Sequence, residues 1–384
     1  YRNIGTEGEV EIASGGGWKR VGIWNVHLEE DAGKLVHSET PGTDYTLVDL
    51  NRAGRPLLEI VSAPDMRTVE DVEAYMKTVR NTLLYLGVSN CKIEQGSIRF
   101  EAGVSVKPKD SEKLGPRVEI KNLGSITAVT RAVEYEIARQ TEVLRQGGRN
   151  AQETRLWNDN AKRTEVMRAK EHAHDYRYFP EPDLPACSIS EEELKAFSEQ
   201  IPELPAARRR RFVEALGLPE YDAGVLTDDR GVADYYENVA RLCGSAKSAA
   251  NWVANSALAV LNERRIEIGE FPVPAERLAE LVSLVDKGTI SVAAGREVFA
   301  EMLASGKPAG QIVQDRGLSQ ISDAGALEGI VRKIVAANPS SVADWKAGKA
   351  KALNALIGPV MRETRGKANP AVARELLEKI MSES

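Results

Sequence analysis

The chemistry in this chain is signalled by carboxylates set on strand patterns. In "GSIRFEAGVSVKP" (Gly96 to Pro108), Ile98, Phe100, Val104 and Val106 share one parity and Arg99, Glu101 and Ser105 the other. A strand here buries one face and presents a charged row on the opposite one. "RVEIKNL" repeats the scheme, with Val118 and Ile120 on one face and Arg117, Glu119 and Lys121 on the other. A hairpin loop centred on Asp110 sets Glu101 opposite Glu119, a repulsive pair. A register shifted by two pairs Glu101 with Arg117 or Lys121 instead, and the pattern leaves both registers open. The like-charge register becomes favourable around a divalent cation, because hard cations such as Mg²⁺ take oxygen ligands and bridge carboxylates to phosphates. Two further stretches add acids: "VHLEEDAGK" carries Glu29, Glu30 and Asp31 in a row, and in "DLNRAGRPLLEIV" Glu59 stands among Leu57, Leu58, Ile60 and Val61. A lone carboxylate in that apolar setting is costly. Solvated strand-face acids with ion pairs are the plain alternative to a site.

The elements that position these groups follow from periodicity. To about residue 125 the chain is β-rich, with alternating stretches at 19–28, 96–106 and 117–123 between Gly/Pro/Asp turns. One helix starts at a Thr68/Asp71 capping box, carries Val69, Val72, Met76, Val79, Leu83 and Leu86 on a stripe and stops at Gly87; a second runs from about Thr127 to Gln146. "HDYRYFPEPDLP" (His174 to Pro185) suits neither helix nor strand, because its three prolines lack a donor N–H. It reads as a stiff elbow, locked by Asp175, Arg177 and Glu181, with Arg177 or Tyr178 as alternatives for lining a site. From Ser190 onward the texture becomes short amphipathic helices. The expected fold is α+β: a β-rich domain over 1–185, an all-α helical domain over 186–305 and a small helical tail over 306–384.

Composition narrows the class. With 384 residues, 42% hydrophobic and 28% charged, the chain is globular and long enough for several domains. No apolar run approaches the roughly 18 residues of a membrane span, and no export signal is visible, so the cytoplasm is the default location. Cys91, Cys187 and Cys243 are scattered and lack metal or disulfide spacing. No GK[ST] phosphate loop or GxSxG elbow is present. The net charge of −6 excludes a basic nucleic-acid coat, yet residues 332–367 hold eight basic residues against two acidic ones. A basic surface inside an acidic protein points to a docked polyanion.

The motifs "HLEEDAGK", "VDLNRAGRPLLEIVSAPD", "EQGSIRFEAGVSVKP", "RVEIKNLGS", "QETRLW", "HDYRYFPEPDLP" and "NPSSVADWKAGKAKALNALIGPVMRETRGKANP" occur in order. Together they resemble the B subunit of the aspartyl/glutamyl-tRNA amidotransferase family over essentially the whole chain. The resemblance implies a β-rich catalytic cradle, a helical domain and a tRNA-binding tail. It also implies the use of ATP and Mg²⁺ to phosphorylate the side-chain carboxylate of Glu-tRNA(Gln) or Asp-tRNA(Asn). The implied partners are the amidotransferase subunits A and C. The first is an amidase that hydrolyses glutamine and supplies the ammonia that displaces the phosphate, and the second ties the complex together. Carried over by motif, the metal-binding acids are Glu30, Glu59, Glu101 and Glu119. Beside them, Arg52, Arg99 and Lys121 are the nearby cations expected to bind phosphate or substrate carboxylate, with plain strand-face ion pairs as the alternative, and Lys349, Lys351, Arg365 and Lys367 of the basic tail are the expected tRNA contacts. Two departures stand out. The family's usual "DAN" is "EAG" here, with Glu101 and Gly103, and the leading "GLEVH" strand of the family is not in this sequence, which leaves the cradle incomplete at its N-terminal side. A tRNA-binding or assembly subunit without catalysis of its own is the competing reading.

Overall fold

The computed structural model describes residues 3–37, 45–169, 188–320, 324–349, 351–364 and 368–383. The chain forms two compact units, residues 1–207 and 208–384. The expected break near residue 185, and the "HDYRYFPEPDLP" elbow with it, lie outside the described residues.

The first unit carries the strands. β1 (Gly5–Ser14) and β2 (Gly17–Glu30) form a hairpin, and β5 (Pro56–Ser62) lies antiparallel on the other side of β2. Between them in sequence, β3 (Lys34–His37) and β4 (Thr46–Asp49) make a separate two-stranded ladder. Helix α1 (Val69–Leu86) begins at the expected capping box of Thr68 and Asp71 and ends at Gly87, whose φ of 69° is the left-handed conformation glycine adopts freely. The Asp71 carboxylate also accepts from Ser14 Oγ at 2.6 Å and Lys19 Nζ at 2.7 Å, so one buried acid ties the helix start to the β1–β2 hairpin. Burial opposes its ionisation, but these donors and the Arg67 backbone N–H hold its pKa far below the usual carboxylate range.

A second sheet follows, with strand order β6 (Phe100–Val104), β7 (Val118–Leu123), β8 (Glu153–Asn158), β9 (Arg163–Ala169). β7 and β8 run parallel, joined by helix α2 (Ile126–Arg145), as a parallel pair requires. The core beneath holds Met76, Val104, Ile120, Leu123, Val129, Val133 and Trp157. The buried face of α2 also carries polar groups. Glu136 is fully buried, accepting from Thr164 Oγ1 at 2.9 Å and Gln140 Nε2 at 3.0 Å and pairing with Arg139, while Arg155 approaches it to 3.7 Å. Gln140 clasps the end of β6, donating to the Val104 carbonyl at 3.1 Å and accepting from the Val106 N–H at 3.0 Å. β8 and β9, "ETRLWN" and "RTEVMRA", lack the clean alternation of β6 and β7, because their inward side includes Thr154 and Thr164.

After α3 (Glu191–Gln200), capped by Ser190, and α4 (Pro205–Glu214), the chain is helical. A single cluster around Phe212, Tyr236, Val253, Leu278 and Phe299 is built by α4, α5 (Glu220–Thr227), α6 (Arg230–Cys243), α7 (Ala246–Trp252), α8 (Leu258–Arg264), α9 (Ala275–Asp286), α10 (Val292–Ser305) and α11 (Ala309–Arg316). Arg208 is buried in it by Asp234 at 2.6 Å and by Glu237, with Arg211 pairing the same Glu237 at 2.6 Å. Gly306 caps α10 where a break was expected, yet α11 still packs on this cluster through Ala309, Ile312 and Val313. By packing, the tail core starts at α12 (Ala324–Ala337). With α13 (Pro339–Lys346), α14 (Lys351–Glu363) and α15 (Pro370–Glu383), it buries Leu327, Val331, Leu353, Leu356, Val360 and Leu377 together. Among the described residues no helix is long and apolar enough to cross a membrane.

Candidate functional site

The register of β2 on β5 sets His27 opposite Glu59, Glu29 opposite Leu57 and Glu30 opposite Pro56. Because side chains alternate along a strand, His27, Glu29 and Glu59 share one face, and Glu30 lies on the other with Leu28 and Leu58. The acid brought to Glu59 is therefore Glu29, not the expected Glu30. Glu59 is hydrogen-bonded to Glu29, and its pKa is raised, first by partial desolvation and then by the charges of Glu29 and, more weakly, Glu101; His27 opposes them. The carboxyl of Glu59 on β5 thus feels acids from both β2 and β6.

The β6–β7 pairing resolves the two registers left open by the sequence. Gly103 faces Glu119 and Ala102 faces Ile120, so Glu101 reaches Lys121 in place of Glu119. Lys121 lies between two acids, 3.0 Å from Glu101 and 3.2 Å from Glu119. Desolvation works against its charge, but the two carboxylates outweigh it and raise its pKa. At the glycine of the "EAG" departure, a Cβ on Gly103 would come within 2.9 Å of the exposed Arg117 side chain, which would have to shift to admit it.

The other two cations meet at one acid. Arg52 Nε donates to Asp31 at 2.8 Å and Arg99 lies 3.7 Å from the same carboxylate. Arg52 also donates to the carbonyls of Gln95 at 2.9 Å and Gly96 at 3.0 Å, clamping the turn that leads into β6. A side chain at Gly96 would meet that guanidinium at 2.5 Å. Arg52 and Arg99 are both more than a third exposed, so each keeps donors toward solvent while Asp31 orients it.

The donor set, carboxylates and one imidazole, has the oxygen-rich chemistry a hard divalent cation takes, and the hydrogen bond between Glu29 and Glu59 needs a proton that such a cation would replace. As placed, no three His, Cys, Asp or Glu side chains among the described residues are gathered tightly enough to hold a metal ion. Parity is the sequence signal for this grouping: His27 and Glu29 share the parity of Asn25, and Leu28 and Glu30 take the other. In the tail, Lys349 pairs with Asp344 at 2.8 Å and Lys333 with Glu363 at 3.0 Å. Lys351 is exposed at the start of α14, while Arg365 and Lys367 lie outside the described residues.

A small mixed sheet with a carboxylate-rich face, joined in one chain to two helical cores, defines a class, and comparison with known proteins narrows it. Residues 1–195 match the model of the GatB/GatE catalytic domain and residues 234–381 that of the GatB domain. The chain is 50% identical over 375 residues to a protein of Carboxydothermus hydrogenoformans, covering 97% of this chain and 78% of that one. It is 50% identical over 375 residues to one of Moorella thermoacetica, covering 98% and 79%. A protein of Chlorobium phaeobacteroides is 45% identical over 375 residues, with 98% and 78% covered. All three carry the name of the B subunit of aspartyl/glutamyl-tRNA(Asn/Gln) amidotransferase. The chain belongs to the GatB family of tRNA-dependent amidotransferase subunits.

Proposed function

We propose that this chain activates the side-chain carboxylate of Glu-tRNA(Gln) or Asp-tRNA(Asn) with ATP and passes it to ammonia, as the B subunit of a complex with subunits A and C in the cytoplasm. The observation that carries this reading is Glu59 hydrogen-bonded to Glu29 and within electrostatic reach of Glu101, which together with Glu119 holds Lys121. Like-charged carboxyls in one place are unfavourable unless a cation joins them. A Mg²⁺ ion there would neutralise phosphate charge during transfer. Glu29, Glu59 and Glu101 would have to draw closer than they stand here to hold it, while Glu119 pairs with Lys121.

A carboxylate resists attack by ammonia because its leaving group is poor, so phosphorylation makes an acyl phosphate whose phosphate leaves readily. The substrate oxygen attacks the terminal phosphorus and ADP departs; ammonia then adds to the acyl carbon and inorganic phosphate leaves. Such transfers ask the protein mainly for positioning and charge neutralisation. In this reading Arg52 and Arg99, which pair with Asp31, bind phosphate or the substrate carboxylate, and Lys121 neutralises developing charge on the transferred group. The basic residues Lys349, Lys351, Arg365 and Lys367 are proposed to hold the tRNA backbone.

The test is reconstitution of the full-length protein with subunits A and C, Glu-tRNA(Gln), glutamine, ATP and Mg²⁺. Gln-tRNA formed only with ATP is the expected product. Retention of tRNA without ATP-dependent product would point to an assembly subunit.

A further inference from the structure

Strand β7 departs from simple alternation at one residue. Val118 and Ile120 are fully buried, and a regular strand would bury residue 122 next; here Leu123 is buried and Asn122 is exposed. The pairing explains the change, since Phe100 faces Leu123 while Ala102 faces Ile120, so Lys121 and Asn122 together oppose the single Glu101. This is a β-bulge, a device that re-aims a side chain at the expense of one ladder position. Its backbone requirement falls on Asn122, whose φ is 63°, a region that asparagine tolerates better than any residue except glycine. The neighbouring ladder ends at the same place: the last β7–β8 pair is Lys121 with Leu156. One residue further on, the Asn122 side-chain amide donates to the Trp157 carbonyl at 3.0 Å. The side chain takes over where the backbone pairing stops.

We propose that Asn122 is a positioning residue for the carboxylate-activating face. By holding the bulge, it lets Leu123 return to the core while Lys121 stays on the face of Glu119 and meets Glu101. Without the bulge, Leu123 would share the parity of Glu119 and Lys121, and either the core would lose a leucine or the charged face would gain one. The inference rests on the proposed function for its catalytic consequence, but its structural part can be read separately.

The experiment compares Asn122→Ala and Asn122→Gly in the complete complex with subunits A and C. Alanine loses both the left-handed tolerance and the amide; glycine keeps the backbone. Labelling by an amine-acylating reagent, followed by mass spectrometry, reports the protection of Lys121, with exposed Lys92 as the internal reference. In Asn122→Ala, Lys121 labelling is expected to rise about threefold or more and kcat to fall about tenfold, with KM for tRNA within about twofold; Asn122→Gly stays within about threefold of wild type on each. Unchanged Lys121 labelling in Asn122→Ala, glycine as impaired as alanine, or raised labelling with unchanged kcat would each overturn the proposal. A wild-type complex that makes no ATP-dependent product strikes the functional reading instead, and labelling then still decides whether Asn122 holds Lys121.

Discussion

Two groups of carboxylates in the first unit receive opposite treatment. Glu136 is sealed inside the sheet and helix with Arg139, Arg155, Thr164 and Gln140 around it, so its charge is met on several sides. Glu59, paired across the strands with His27, is hydrogen-bonded to the diagonal Glu29 and senses Glu101, so its charge meets two more of the same sign. A buried acid with matched cations is architecture, fixing α2 against β6, β8 and β9. An acid among acids, partly open to solvent, is a group awaiting a positive partner. The difference teaches that the count of carboxylates says little, and the sign of their neighbours says most.

The largest expected effect breaks the sealed group. Glu136→Ala removes the buried partner of Arg139 and Arg155, leaving Glu153 alone to face both guanidiniums, and is expected to lower unfolding free energy by roughly 3 kcal/mol, measured by chemical denaturation; Glu59→Gln leaves it unchanged or raises it slightly. Next comes the open group. Glu119→Gln and Glu29→Gln are each expected to lower ATP-dependent amidation about 100-fold or more with tRNA affinity intact, whereas Glu30→Gln, on the opposite strand face, stays within about threefold. Steady-state kinetics and filter binding separate the two effects, and loss of tRNA affinity in Glu119→Gln would mark it as structural.

Asp71 belongs with the sealed class. Its folded pKa is held below the unfolded value of about 4, so its stabilisation is complete above that value and is lost as pH falls through the folded one. Asp71→Asn should cost about 1–3 kcal/mol at neutral pH and flatten the acid limb of a pH–stability profile. Glu59 carries the opposite sign. Its raised pKa means that folding favours the protonated form, so stability falls as pH rises through the folded value. Mg²⁺ at roughly five times its dissociation constant should add about 1 kcal/mol, a melting shift of roughly 2–4 °C, and the shift should vanish in Glu59→Gln. The smallest effect lies in the tail, where replacing Lys349 and Lys351 by alanine should reduce the salt slope of tRNA binding by about one per lost phosphate contact, read from affinities at several salt concentrations.

Much of this was legible in the residues. The Thr68/Asp71 cap, the Gly87 stop and the charged parity of β6 and β7 all follow from local chemistry that the tertiary structure does not override. The choice of Glu29 over Glu30 was legible in parity, but only once β2 and β5 are known to pair. The β6–β7 register was not, because it depends on a bulge whose trace in sequence is a three-residue step from Ile120 to Leu123 in an otherwise two-residue rhythm. The sealed network was hidden for a different reason: Glu136 and Gln140 sit on α2 with helical spacing, as ordinary surface residues do, and burial by a sheet formed from β6, β8 and β9 is a long-range fact. Strands β8 and β9 hide likewise behind inward threonines.

The central claim is that the substrate carboxylate itself is phosphorylated. Glutamyl-tRNA labelled with oxygen-18 in the side-chain carboxyl, supplied to the reconstituted complex with ATP and glutamine, tests it directly. Mass spectrometry of the released inorganic phosphate should find one labelled oxygen for each Gln-tRNA formed, and Glu119→Gln should release none above background. Gln-tRNA formed alongside unlabelled phosphate would contradict the account.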